Sequence, residues 1–329
     1  MHDRRSLLKR ALALGAVAAP PAWAAPALAP GRRRLGVLLF DRAEAWDDLP
    51  PRLQKALADL GWVEGSNLDV QWYYANGEAA RLKRLAAQLA TSGVDAILTR
   101  GTPATAALRQ ATSTVPILTG LGDPVGSGFA ATFARPGGNV TGVSYAVVET
   151  SLKQIELLRT MVPRLALLAI LLPADRTPFA AQLFRPIEAA ARDSGLATRT
   201  ALVGDAAELQ AALRSGRARG EFAAFVFGFG SHIAPQVIAD AARALEVPAM
   251  FERREYVDAG GLASYRLYWD DQEQRTAAQI DKVFRGEKPA QIPFELPTRS
   301  EFVINKATAK SLGLALPQAL FLRADAIVG

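Results

Sequence analysis

The chain has 329 residues, half of them hydrophobic, no cysteine and a formal net charge of +6. The missing cysteine excludes a disulfide framework, a thiol nucleophile, a cysteine-held metal and a lipid anchor on an amino-terminal cysteine. Of two histidines only His232 lies beyond the first 24 residues, so a multi-histidine metal site is excluded; a Ser-His-Asp triad would rest on this residue, which follows Gly230-Ser231 without a nucleophile elbow.

Residues 1–29 carry Arg4-Arg5, then Ser6-Leu7-Leu8-Lys9, then an apolar run from Ala11 to Ala19 and the small residues Ala22-Trp23-Ala24. The run is too short to span a bilayer and reads as an export signal over residues 1–24, of the twin-arginine type on the strength of the arginine pair, with an ordinary secretory signal in which the pair is incidental as the alternative. Cleavage after Ala24 would remove four basic residues and Asp3, lowering the net charge from +6 to +3. No basic stripe with interleaved aromatics follows, which argues against a nucleic-acid partner.

Past the leader, short apolar runs bounded by turn residues alternate with helical patterns. Residues 34–40 (RLGVLLF) read as a first strand, closed by a turn at Asp41-Arg42-Ala43-Glu44. Residues 47–60 are amphipathic, with Leu49, Leu53, Ala56, Leu57 and Leu60 on one face, and Gly61 stops that helix. Residues 67–74 form a second strand, 77–91 a second helix and 94–99 a third strand. The third strand ends in Gly101-Thr102-Pro103 and a helical pattern follows; a fourth strand, 116–120, ends in Gly122-Asp123-Pro124, again followed by a helical pattern. This rhythm predicts a wound α/β sheet, in which ligands bind beyond the carboxyl ends of the strands. The two glycine-headed turns therefore share one rim.

After a sharp turn at residues 135–139 (RPGGN), residues 140–144 (VTGVS) read as a crossing to a second lobe, because a fresh series begins. It runs helix 150–161, strand 165–172, rim loop 173–178, helix 179–194, strand 196–203, helix 206–215, strand 221–227, helix 233–245 and short strand 248–251. Residues 260–265 read as a second crossing and 270–285 as a helix returning to the first lobe. Residues 294–305 carry a third crossing, and 306–312 end the series with a helix on the second lobe. The expected division is lobe one at 32–142 plus 266–296 and lobe two at 143–265 plus 297–329. Three hinge crossings around a cleft suit ligand-driven closure.

Several segments carry a family resemblance: 60–65 (LGWVEG), 101–104 (GTPA), 110–116 (QATSTVP), 122–126 (GDPVG), 134–144 (ARPGGNVTGVS), 260–265 (GGLASY), 281–289 (DKVFRGEKP) and 302–314 (FVINKATAKSLGL). In this order, over nearly the whole mature chain, the sequence resembles the periplasmic substrate-binding proteins of ABC transporters, in the family that includes tryptophan and other aromatic amino-acid binders. The resemblance implies a two-lobed type I periplasmic-binding fold, each lobe a wound parallel sheet flanked by helices. It also implies no catalysis, no cofactor, a small-molecule ligand, and partnership with a permease and its ATPase by a monomer in the periplasm. A receptor that presents its ligand to a membrane sensor would share fold and cleft. An extracytoplasmic α/β enzyme is the remaining alternative, against which the scarcity of histidine and the lack of a nucleophile motif weigh.

The chain departs from the family at the rim. A Gly/Ser-rich turn is usual after strand one, where this chain has Asp41-Arg42-Ala43-Glu44-Ala45-Trp46. Asn-Pro is usual in the first lobe-two loop, where it has Pro173-Ala174-Asp175-Arg176, and Gly-Pro-Asp is common after the second crossing, where it has Arg266-Leu267-Tyr268. The added Arg and Asp residues suit a more polar or anionic ligand than tryptophan; an amino-acid-like or aromatic carboxylate is expected.

Candidate ligand residues follow from rim positions. Asp123, ahead of Pro124, serves either as a helix cap or as the partner of a ligand ammonium, and the two roles are compatible. Thr102 heads a helix whose free amides suit a carboxylate, with capping alone as the plainer role. Ser144 and Tyr145 lie past the first crossing and Tyr265 at the second; each tyrosine either donates to a ligand or packs the hinge. Arg176 on the lobe-two rim suits bidentate carboxylate binding, against a default of a solvated surface arginine. Asp41 and Trp46 face the rim from lobe one, Trp46 as an aromatic platform or as helix packing, and Phe229 and Ser231 occupy the matching lobe-two position. The glycine-rich stretches at 126–128 and 135–138 match neither a phosphate loop nor a dinucleotide fingerprint.

Overall fold

The computed structural model describes residues 31–174, 177–217, 222–226, 233–268 and 271–329. The expected signal segment, Arg176, Phe229, Ser231 and His232 lie outside them.

A first, all-parallel sheet has the order β2-β1-β3-β4-β5, formed by β1 (Arg33–Leu39), β2 (Leu68–Tyr74), β3 (Ala96–Arg100), β4 (Ile117–Leu121) and β5 (Val140–Ser144). Alternate residues of each strand serve opposite faces. Leu35, Val37 and Leu39 meet α1 (Leu49–Asp59) and α9 (Gln272–Phe284), together with Ala96, Leu98 and Leu118. Leu38, Ile97 and Ile117 meet α2 (Ala79–Thr91) and α3 (Thr102–Ala111). Both faces are covered, so β3, β4 and β5 are buried along their whole length, while the edge strand β2 alternates, with Asp69 and Gln71 between Leu68, Val70 and Trp72.

The LGWVEG motif has a structural role here. Trp62 is 1% exposed, packs edge-on to Phe284 with ring centroids 4.9 Å apart, and donates its indole N–H to Asp281 Oδ1 at 2.8 Å. It fastens the end of α1 to α9, which belongs to a segment some 220 residues later in the chain.

The second sheet has the order β12-β11-β10-β9-β8-β6-β7. Its strands are β6 (Leu167–Pro173), β7 (Ala197–Val203), β8 (Phe222–Val226), β9 (Ala249–Phe251), β10 (Ala263–Tyr268), β11 (Arg299–Asn305) and β12 (Ala326–Val328). One face is covered by α4 (Val147–Met161) and α5 (Thr177–Asp193), the other by α6 (Ala206–Arg217), α7 (Pro235–Ala244) and α8 (Arg254–Asp258). The run β7-β6-β8-β9-β10 repeats the winding of β2-β1-β3-β4-β5, so the two lobes are alike in topology. The second sheet is not purely parallel, because β11 returns antiparallel to β10. The helix α10 (Lys306–Ser311) follows β11; α11 (Gln318–Arg323), β12 and α8 are short elements whose few residues carry no sequence period.

Two sequence expectations need revision. The segment after Pro124 is not a helix but a series of turns, with Ser127 N–H donating to the Asp123 carbonyl and Phe129 and Ala130 N–H both donating to the Pro124 carbonyl. Gly126 and Gly128 in this stretch lower its helix propensity. Residues 140–144 serve first as the fifth strand of sheet one and leave it after Ser144.

Candidate functional site: the carboxyl rim of the first sheet

In the order 2-1-3-4-5 the winding reverses between β1 and β3, and ligands of such sheets bind at the carboxyl ends flanking that reversal. Here those ends are Leu39, followed by Phe40-Asp41, and Arg100, followed by Gly101-Thr102. Strand register brings Arg100 level with Gly120, and Leu121 level with Ser144.

Thr102 is half-buried as the first residue of α3; the N-cap is Gly101, which has no side chain to cap the helix, and Pro103 has no N–H, so the Thr102 hydroxyl and the Thr102 and Ala104 amides head the helix at the rim. Asp123 is half-buried, and its Oδ1 accepts from Gly126 N–H at 2.7 Å. This is a turn cap rather than a helix cap, and the carboxylate retains acceptor capacity. Ser144 is fully buried; its Oγ accepts from Ala146 N–H at 3.0 Å, a local bond that shapes the departure from β5. Tyr145 is half-buried, and its hydroxyl receives the Gln272 amide at 3.5 Å. Asp41 is exposed at the end of β1. Trp46 ends a single helical turn (Ala43–Trp46) and packs on the core beneath α1; its indole N–H is buried with no partner among the described residues. Tyr265 belongs to β10 of the second sheet, edge-on to Phe302 at 6.5 Å, and its carbonyl accepts from Gln154 at 2.6 Å. Thr102, Asp123, Ser144, Tyr145 and Asp41 thus share one rim, while Tyr265 lies with the other lobe's core.

Beside this rim is a cavity of about 340 Å³ lined by Arg42, Glu44, Trp72, Tyr74 and Arg81 among others. Trp72 and Tyr74 stack nearly parallel there, and burial pushes the Tyr74 hydroxyl pKa up. A second cavity, about 460 Å³, lies between α4 and α5, away from the strand ends.

The polar residues that organise the rim were missing from the sequence reading. Arg100 is 4% exposed and donates from Nη2 to Glu273 Oε2 at 2.7 Å, tying the end of β3 to the first turn of α9. The signal was available, as Arg100 is a charge closing an otherwise apolar strand. At the hinge, residues 290–296 run alongside β5: Glu295 N–H donates to the Gly142 carbonyl at 3.0 Å and Ser144 N–H to the Glu295 carbonyl at 2.7 Å. Gln279 donates from α9 to the Gly142 carbonyl at 3.0 Å. Arg275 bridges Asp271 at 2.9 Å and Glu295 at 2.8 Å, and both carboxylates raise its pKa. Asp271 follows the second crossing and Glu295 opens the third, so one arginine holds two crossings together.

Among the described residues no group of three or more His, Asp or Glu side chains is placed to hold a metal, and no helix is long and apolar enough to cross a membrane.

The family model of ABC transporter substrate binding proteins matches residues 35–328. A tyrosine-binding protein of Clostridioides difficile is 22% identical over 287 residues, covering 86% of this chain and 81% of its own. Among solved structures, an ABC domain from Streptococcus pneumonia in complex with L-Trp superposes with a TM-score of 0.67 at 25% identity, covering 91% of this chain and all of its own. A conserved domain protein from Vibrio cholerae superposes with a TM-score of 0.70 at 24% identity, covering 90% and 99%. The match spans both sheets and all three crossings, and the chain is a substrate-binding protein rather than an enzyme: it belongs to the ABC transporter substrate-binding protein family.

Proposed function

We propose that this protein captures an amino-acid-like or aromatic carboxylate between its lobes, in the periplasm, and delivers it as a monomer to an ABC permease and its ATPase. The observation that carries this is the pairing on one rim of an open helix start at Thr102 with a half-buried carboxylate at Asp123. Free helical amides suit a ligand carboxylate, and Asp123 suits its ammonium. The tyrosine-binding relative and the neighbour bound to L-Trp support an amino-acid head group. The lobes divide within the three crossings, after β5 ends at Ser144, after β10 ends at Tyr268 and ahead of β11 at Arg299. From the second lobe Arg176, Phe229, Ser231 and Tyr265 complete the site on closure, since only a ligand touching both lobes differently in the two states shifts the balance between them.

The test is thermal unfolding of the purified protein against amino acids and aromatic carboxylates. A ligand at a hundredfold excess over its Kd adds about 2.7 kcal/mol of stability. A complete panel without a shift in melting overturns the proposal.

A further inference from the structure

Beneath the same rim is a buried hydrogen-bond donor without an acceptor. Arg100 satisfies Glu273 through Nη2, with Thr276 Oγ1 at 3.4 Å, but its Nη1 is buried and has no partner among the described residues. A side chain at Gly120, the register partner of Arg100 on β4, would collide with the Tyr145 hydroxyl and lie 2.9 Å from Arg100 Nη1. The bare glycine therefore lets both polar groups converge on one volume. The Tyr145 oxygen already faces the Gln272 amide, leaving its hydrogen free to donate. Gln272 opens α9, whose N-cap Asp271 makes no side-chain bond to the first amides because it turns to Arg275. Buried donors are ordinarily satisfied, and an orphaned guanidinium nitrogen at a binding rim calls for an acceptor from outside the chain.

We propose that Arg100 Nη1 and the Tyr145 hydroxyl form a specificity subsite for a second carboxylate on the ligand, making acidic amino acids the preferred class. The inference rests on the reading of Thr102 and Asp123 as the head-group site. Asp123 lies three residues beyond Gly120, at most about 10 Å along the chain, a gap that an acidic amino acid of about 6 Å between ammonium and side-chain carboxylate bridges with a hydrogen bond of about 3 Å at each end. Guanidinium recognises carboxylate in preference to carboxamide, and Glu273 holds it in place. Removing Arg100 alone would strand the Glu273 charge, so the informative variants are Arg100→Met with Glu273→Gln, and separately Tyr145→Phe.

The experiment is calorimetric titration of the three proteins with the isosteric pairs L-glutamate/L-glutamine and L-aspartate/L-asparagine, with L-tyrosine, L-tryptophan and the dicarboxylate glutarate. The expected result is wild-type preference for the acidic member of a pair by at least tenfold. That preference collapses in both variants, while circular dichroism shows each to be folded. Equal or tighter wild-type binding of the neutral amino acids overturns the subsite and leaves the head-group reading standing. Glutarate binding lost in the variants, with no amino acid bound, supports the subsite and overturns the amino-acid reading. Acidic preference that survives both variants, or no binding of any probe, overturns the subsite.

Discussion

Gly142→Ala perturbs the strand that joins the lobes. Gly142 lies mid-strand opposite Thr119, with φ +150°, a conformation side-chain-bearing residues rarely adopt. A Cβ there would drive into the Thr119 carbonyl oxygen and sit 2.7 Å from its nitrogen and 2.8 Å from its carbonyl carbon. All three are backbone atoms of a central strand, so no rotamer change relieves the clash. Overpacking costs about 1–3 kcal/mol and the unfavourable φ a similar amount, for a net of about 3 kcal/mol after partial relaxation. At about 2.1 cal/mol/K per residue, some 300 residues unfolding together lose about 5 °C of melting temperature. The Gly142 carbonyl also accepts from Glu295 N–H and Gln279, so the displaced strand pulls the third crossing out of register. Differential scanning calorimetry with and without ligand reads both effects: a lower apo midpoint and a weaker ligand-induced rise. A midpoint within about 1 °C of wild type would refute the close apposition of β4 and β5 on which the hinge reasoning stands.

Asp123→Ala weakens binding of an ammonium-bearing ligand by about 2 kcal/mol, roughly thirtyfold in Kd; unchanged affinity by calorimetry leaves Asp123 as the Gly126 turn cap alone. Arg275→Met severs the link between Asp271 and Glu295 at the hinge and shifts the open–closed balance by about 1 kcal/mol, a roughly fivefold change in Kd at a residue outside the head-group site; an unaltered Kd argues against hinge control. Trp62→Ala empties a buried site and orphans Asp281, costing about 3–5 kcal/mol in urea unfolding; a loss below 1 kcal/mol contradicts its role as the α1–α9 fastener. Lys153 and Arg323 hold the Glu156 carboxyl below its ordinary pKa. The stabilisation is therefore present above the unfolded-state value and lost as pH falls through the lower folded one. Glu156→Gln removes that acid-side dependence and leaves stability at neutral pH within about 1 kcal/mol, both read from melting curves between acid and neutral pH.

Periodicity by itself determined the alternation of strands and helices and the rim turns at Gly101-Thr102 and Gly122-Asp123, because each follows from local apolar spacing and turn chemistry. The ordered motifs from LGWVEG to the 302–314 segment already carried the family. The turn stretch after Pro124 defeated the same reasoning: its apolar residues match a helix in period, but its glycines favour turns and tertiary packing fixes the path. Short elements such as β12 and α8 escape for want of length. Only the tertiary structure decided the polar wiring, with Arg100 reaching Glu273 across 173 positions, Trp62 reaching Asp281, and Arg275 joining two crossings. Such partners are chosen by which strand end faces which helix start. That depends on sheet order and register, to which the spacing of residues along the chain is blind.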